Sequence, residues 1–425
     1  MTTRPSMFVF SREYPPVTVG GTSTVARNLA VGLTRHGWSV TVLTTAPDRD
    51  GDLRQVLEGV LVHRLGTETI YQSTTGLDDG AIRSHRRMYA AAEQLAAEIG
   101  APQAVALPDL FCNPEAAMFS RRHGVPLINV LLQDFRAIVP YDRDEHRVTS
   151  GVVANRNHLL ALEERTFRTS DHTVFISQAL SDAVTGHYPD IDAPHSVVHL
   201  GVDLAECAAV EADTTWQRER TRLLGSTGDR QLLVACGRLV PVKGFAPLLV
   251  ALHRLVTGNR PWCRPHLALV GVGPEEPHLR RLAAELRITD HVSFLGDVPR
   301  RTALGWMSVA DVAVVPSLWE SFCYVCAEMM VLRRPVVCTA VDSLRELVPS
   351  EEVGYPVAVS GGPGERVLLP DDLADAIERA LAHPEEARRR GQAAHRRIVE
   401  HFGNDNFARG IAELAEQLTM TRNRD

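Results

Sequence analysis

Lysine is all but missing from this chain: of its basic residues 44 are arginine, and the single lysine is Lys243. A lysine that survives so complete a replacement suggests a position where a compact ammonium is needed and a guanidinium fork will not serve; chance survival on a solvated turn is the alternative. Long apolar runs are also missing. No stretch approaches the ~20 residues that span a bilayer. Nothing ahead of the apolar run at residues 7–10 has the build of a signal peptide, so a cytoplasmic protein is expected. A basic excess is absent as well: 45 basic against 52 acidic residues leave a net charge of −7, which argues against a nucleic-acid partner. The seven cysteines are too few and too scattered for a disulfide framework. Cys323-Tyr324-Val325-Cys326 has redox or zinc-type spacing, but with no second pair nearby it reads as two small helix residues.

What is present is a repeating alternation of short apolar runs and helical periodicity. At 425 residues the chain suits two domains. Residues 7–10 read as a buried strand, Val25, Leu29 and Leu33 as a helix face closed by Gly37, and residues 40–43 as the next strand, which is one βαβ unit. The alternation continues through residues 104–107, 115–122, 127–132 and 173–176. It lapses into polar sequence and resumes with strands at 232–236, 266–270, 292–295, 312–315 and 336–338, with helices between. The expected organisation is a domain at 1–205, a linker at 206–228, a second domain at 229–400, and a helix at 401–425 returning to the first domain. The fold class is α/β, two doubly wound, Rossmann-like parallel sheets facing a cleft. Ligands are expected beyond the carboxyl ends of the strands.

Four features of the second domain fall at those strand ends. Arg238 and Lys243 follow the first strand, and Gly271-Val272-Gly273-Pro274 the second. Phe294-Leu295-Gly296-Asp297-Val298 closes the third, and Pro316-Ser317-Leu318-Trp319-Glu320-Ser321-Phe322 follows the fourth. Cations and flexible glycines at such turns hold phosphate. If Glu320 caps the next helix and Glu328 lies two turns in, they are roughly 12 Å apart at about 1.5 Å per residue, the length of a diphosphate carrying a sugar at each end. The amides of Phe322, Cys323 and Tyr324 would then receive the phosphates. Each piece has a plain alternative: a glutamate pair on many helices is structural, Arg238 could be an ordinary salt-bridge residue, and the glycine motif lacks its third glycine, Glu276 standing there.

As a set, these motifs resemble those of the retaining GT-B glycosyltransferases of family 4, the glycogen-synthase-like glycosyl transferases of group 1. Glu13-Tyr14-Pro15-Pro16 with Gly20-Gly21 is similar to that family's opening loop, and Leu200-Gly201-Val202-Asp203 to its domain-boundary motif, with Leu200 in place of the usual Asn. The resemblance implies transfer of a sugar from a nucleotide-diphosphate sugar with the anomeric configuration kept. Arg238, Lys243 and Glu320 are the implied catalytic residues, the two cations on the diphosphate and Glu320 on the sugar hydroxyls. Gly20, Gly21, Gln133, Asp134, Gly273, Val298, Phe322, Cys323, Tyr324 and Glu328 are the implied donor-binding residues, with Glu328 on the ribose and the base near Val298. No cofactor and no metal are implied. The Asp-x-Asp triplets Asp48/Asp50, Asp142/Asp144 and Asp190/Asp192 read as loop carboxylates.

The chain departs from the family at two further places. Gln133 stands where the family has a histidine, and glutamine can donate a hydrogen bond but cannot move a proton. Asp342-Ser343 replaces the usual Gly-Gly before Glu346. An atypical donor, or an acceptor needing little base assistance such as a thiol or thione, would account for Gln133, as in antibiotic biosynthesis. A small-molecule acceptor is expected on the first domain, whose acidic loops (Asp48, Asp50, Asp52, Asp78, Asp79 and 142–145) would suit a cationic aminocyclitol. A homodimer stays open. The competing readings are a nucleotide-linked oxidoreductase on two Rossmann-like halves, and a catalytically silent sugar-nucleotide-binding protein of the same fold.

Overall fold

The computed structural model describes residues 4–16, 21–46, 49–67, 79–138, 156–191, 193–225, 230–258, 260 and 262–422. Packing divides the chain in two. Met1–Val139, Asp144–Gly201 and Asn404–Asp425 form the first unit, and Val202–Gly403 makes up the body of the second.

The first unit runs β1 (Ser6–Phe10), α1 (Gly21–Arg35), β2 (Ser39–Thr45), β3 (Leu53–Leu57), β4 (Val60–Leu65) and α2 (Asp79–Ile99). It continues with β5 (Ala104–Leu107), α3 (Asn113–His123), β6 (Leu127–Leu131), α4 (Phe135–Ile138), α5 (Arg156–Thr169), β7 (His172–Phe175), α6 (Gln178–His187) and β8 (His195–Val197). These strands make one sheet in the order β3-β4-β2-β1-β5-β6-β7-β8, parallel except for the β3–β4 hairpin at its edge. The inner strands β1, β5, β6 and β7 are buried almost throughout, as uninterrupted apolar runs covered on both faces must be.

In the second unit come α7 (Leu204–Glu211), α8 (Thr215–Leu224), β9 (Gln231–Cys236), α9 (Phe245–Thr257), β10 (Pro265–Val270), α10 (Glu276–Glu285) and β11 (Val292–Gly296). Then follow α11 (Arg300–Ser308), β12 (Val312–Val315), α12 (Tyr324–Val331), β13 (Val336–Thr339), α13 (Asp342–Leu347), β14 (Tyr355–Val357), α14 (Pro370–Ala382) and α15 (Pro384–His401). The six strands are all parallel, ordered β11-β10-β9-β12-β13-β14. Leu233, Leu249, Leu269, Val314, Leu373 and Ile377 lie together in the core under one face. Both sheets are the doubly wound kind that the sequence leads one to expect.

The segment 206–228, read from sequence as a linker, is not featureless. Asp203 accepts from the amides of Ala205 and Glu206 and so starts α7. Trp216 on α8 lies against Gly305 of α11, where a Cβ would meet its ring at 1.9 Å. Polar composition hid α8, which buries no whole residue, whereas the short α7 buries Cys207 and Val210. The final helix, α16 (Asn404–Arg422), belongs to the first unit and packs on α1. Asn404 Nδ2 donates to the carbonyl of Asn28 at 2.9 Å, and the two helices close most tightly where Gly32 faces Ala408.

A Cβ on Gly32 would stand 2.4 Å from the Ala408 Cβ, so α1 and α16 must part to admit it. Gly32→Ala should lower stability by about 1–3 kcal/mol through overpacking, read as a drop of several degrees in Tm. An unchanged Tm would show that the contact between the two helices is loose.

Candidate active site

In the second sheet the chain runs outward from β9 to β11 and then restarts on the other side at β12. The crevice at that reversal is where a doubly wound sheet takes its ligand, and it is flanked by the loops after β9 and β12. Those loops carry Lys243 and Glu320. Lys243 closes a single 3₁₀ turn, Pro241–Lys243, and is followed by Gly244 at φ 66°. A Cβ on Gly244 would strike the Pro316 carbonyl at 2.0 Å, so glycine is what lets the two loops touch. The Leu318 amide donates to the Val242 carbonyl at 2.7 Å and stitches them together.

Lys243 Nζ donates to Glu320 Oε1 at 2.7 Å, and the same oxygen accepts from Ser317 Oγ at 2.7 Å. Glu320 is buried and Lys243 half-buried. Burial works against the charged ammonium, but the Glu320 carboxylate outweighs it and holds the Lys243 pKa above its usual value. Arg238 lies exposed just after β9, with no side-chain hydrogen bond or ion pair among the described residues. Gly273 packs on the Leu239 backbone, where a Cβ would come within 2.3 Å of the carbonyl oxygen, and so seats the loop after β10 beside the one after β9.

The helix start differs from the sequence expectation. Glu320 does not cap α12; it lies in the loop ahead of it, and the cap is Cys323, at φ 75°. The N-terminal amides are therefore those of Tyr324 and the residues after it. Phe322 contributes no amide to that terminus, and its buried ring packs on Tyr324 and Phe402. The Cys323–Cys326 pair is structural, as expected. The Cys326 thiol is held well above its ordinary pKa by its contact with Cys338 and by burial.

Glu328 is buried on α12, and an ion pair at 2.7 Å links its Oε1 to Nη1 of Arg300, the first residue of α11. Burial pushes the Glu328 carboxyl up; Arg300 opposes this without cancelling it. Arg300 Nε also donates to Glu206 on α7 at 2.8 Å. The half-buried Val298 stands two residues before Arg300. Nothing in the sequence marked Arg300: it opens a helix after an ordinary proline, and its partners lie on two other helices.

In the first unit the chain reverses between β1 and β5, and there Arg12 and Asp109 form a buried ion pair, Nε to Oδ2 at 2.7 Å. Gly21 opens α1 with no atom within 4 Å of where a Cβ would stand. Gly20 lies outside the described residues, as do Asp48, Asp78, Asp142, Asp144, Glu145 and Asp192. Gln133, after β6, is half-buried with no side-chain hydrogen bond among the described residues. Asp134 corrects the expectation of a ligand-facing carboxylate. It is buried, its Oδ1 accepts from the amides of Arg136 (2.8 Å) and Ala137 (3.2 Å), and its Oδ2 pairs with His187 Nε2 at 3.2 Å. It caps α4. Asp52, offered as part of an acidic acceptor surface, is already paired with Arg87 at 2.6 Å.

With that geometry in view, residues 217–397 match the family model described as Glycosyl transferases group 1, and residues 19–206 the one described as Glycosyltransferase Family 4. The chain belongs to the group 1 glycosyltransferases. It is 26% identical over 421 residues to a glycogen synthase of Mycobacterium tuberculosis, covering 96% of this chain and 94% of that one. An alpha-D-kanosaminyltransferase of Streptomyces kanamyceticus is 28% identical over 192 residues, 45% of this chain and 47% of that protein. The fold matches a sucrose-phosphate synthase from Thermosynechococcus elongatus with a TM-score of 0.76 at 20% identity, over 98% of this chain and 100% of that one, which makes it GT-B. This enzyme thus moves a sugar from a nucleotide sugar, and the oxidoreductase alternative falls. Among the described residues no helix is long and apolar enough to cross a membrane.

Glu163 of α5 is fully buried; its Oε1 accepts from Tyr188 Oη at 2.9 Å and its Oε2 from the Phe135 amide at 3.4 Å. Burial raises its pKa from 4.5 to about 7, with the Tyr188 hydrogen bond opposing and nearby Asp134 assisting. Between those values the folded chain keeps a proton that the unfolded chain releases, so this group's stabilisation is full below pH 4.5 and is lost as pH rises through 7. Unfolding free energies of wild type and Glu163→Gln should therefore diverge over that window by up to about 3 kcal/mol, wild type becoming relatively weaker toward the higher pH. Parallel pH dependences would contradict the assignment.

Proposed function

We propose that this glycosyltransferase retains the anomeric configuration, works without a metal, and glycosylates a small-molecule acceptor of secondary metabolism. The observation that carries the reading is the Lys243–Glu320 contact at the strand-order reversal of the second sheet, a cation and a sugar-binding carboxylate fixed against each other at the site where such sheets take ligands. Arg238, exposed and uncommitted, and Lys243 take the diphosphate, with the Tyr324 amide at the start of α12 as a further donor. Glu320 accepts from the sugar hydroxyls. Glu328 accepts from the ribose, which competes with Arg300 for it, and the base lies by Val298.

In the transfer step the bond from the anomeric carbon to the β-phosphate oxygen breaks. The acceptor's O–H or S–H attacks the carbon from the face the phosphate leaves, and its proton passes to the departing phosphate oxygen. Negative charge grows on the diphosphate, and the two cations, Lys243 already fixed by Glu320, stabilise it more in the transition state than in the ground state. Lys243 and Arg238 thereby meet the electrostatic need that a divalent ion meets elsewhere. Gln133, neutral where a histidine is usual, cannot move a proton, which suits a phosphate acting as the base. The likeness to an alpha-D-kanosaminyltransferase over 45% of this chain supports a small-molecule acceptor, while the likeness to a glycogen synthase spans 96% of it.

Proton NMR of freshly formed glycoside, with the reaction run in EDTA on an α-configured donor, should give an α-glycoside at an undiminished rate. A β-product, or a rate abolished by EDTA and restored by divalent metal, would overturn the mechanism.

A further inference from the structure

The loop that presents Glu320 is gripped from outside the site. Its Glu320 amide donates to Asp342 Oδ2 at 3.3 Å, and its Glu320 carbonyl accepts from Ser343 Oγ at 3.0 Å. Asp342 is in turn held by Arg366: Nη2 donates to Oδ1 at 2.7 Å and Nη1 to Oδ2, with the side chains only 11% and 18% exposed for Arg366 and Asp342. The same Nη1 donates to the Leu318 carbonyl at 2.8 Å, inside the Glu320 loop itself. Thr339 Oγ1 adds a hydrogen bond to the Ser317 carbonyl. Asp342 has φ 37°, a left-handed conformation that Asp and Asn tolerate better than other side-chain-bearing residues. Asp342 and Ser343 are the two residues that stand where the family has Gly-Gly, and glycines could supply neither the carboxylate nor the hydroxyl.

Resting on the functional reading above, we infer that Asp342 and Arg366 are positioning residues: a bidentate clamp that sets the backbone of Glu320 and so aims its carboxylate at the donor sugar. Neither residue needs to touch the donor. Lys243 and Ser317 fix the carboxylate end of Glu320, and the clamp fixes the backbone end. Arg366 has a role only if Asp342 is there to receive its fork, so the two should act as one unit.

The test is a double-mutant cycle of Asp342→Asn, Arg366→Met and the two together, in the full chain. Asn keeps the left-handed backbone, so Asp342→Asn removes the charge pair without straining the turn. Arg366→Lys, which keeps the charge and loses the fork, is the milder companion should Arg366→Met fail to fold. Each single change should lower kcat by about tenfold or more, since small misplacements of a reacting group are expensive. The affinity for the bare nucleoside diphosphate should stay within about twofold, because Glu320 meets the sugar and not the phosphates. The double variant should be no worse than the weaker single one. Hydrogen exchange at the amides of Leu318 to Phe322 should quicken in every variant. Unchanged kcat, or single effects that multiply in the double variant, would overturn the clamp. Should wild type turn over no nucleotide sugar, the functional reading falls by itself, and exchange still decides the clamp: wild-type protection in the variants would overturn it.

Discussion

A buried glutamate pressed against the only lysine in the chain is the constraint on which the second unit's working face depends. A charge buried alone would cost several kcal/mol, so the Glu320 carboxylate needs partners. Lys243 and Ser317 supply the partners on one oxygen. For the ammonium to reach, the loops after β9 and β12 must come into backbone contact, and Gly244 permits that against Pro316. The single lysine among so many arginines thus stands at the end of a 3₁₀ turn, with its ammonium on Glu320.

The same economy recurs along the face. Glu328 is balanced by Arg300, and Glu320 by Lys243, so both buried carboxylates of the face are paired before any ligand arrives, while Arg238 stays exposed. On the function proposed, a donor must exchange some of these contacts for its own: phosphate for part of the lysine's attention, ribose hydroxyls for part of the arginine's. A ligand lacking either group cannot make the full exchange and leaves a buried charge poorly served. That is a source of selectivity as well as of affinity.

Much of this could be read from residues alone, and the reasons for success and failure are physical. Strand-helix alternation was legible because inner parallel strands must be short, apolar and bounded by turns, and β9, β10 and β12 are all of these. The placement of Arg238, Lys243 and Glu320 in the loops after β9 and β12 was legible because those strands are. The start of α12 was misjudged because a left-handed Cys323 leaves no mark that periodicity can detect. Asp134 was misjudged because its side chain caps a four-residue helix, a local use that competes with any ligand. Arg300 and Arg366 were invisible: each matters through partners on distant segments, and in a chain so rich in arginine neither stands out. The clamp on Asp342 was foreshadowed only by two missing glycines.

The most direct test of the central claim is thermal unfolding of wild type and Lys243→Arg against UDP, GDP and ADP, with EDTA throughout. A ligand bound only by the folded state raises Tm, by about 2.7 kcal/mol of stabilisation at a hundredfold excess over Kd. Lys243 as the phosphate-facing cation at the Glu320 loop predicts that one diphosphate raises the wild-type Tm and that this shift largely disappears in Lys243→Arg. Equal shifts in the two proteins, or none in either, would contradict it.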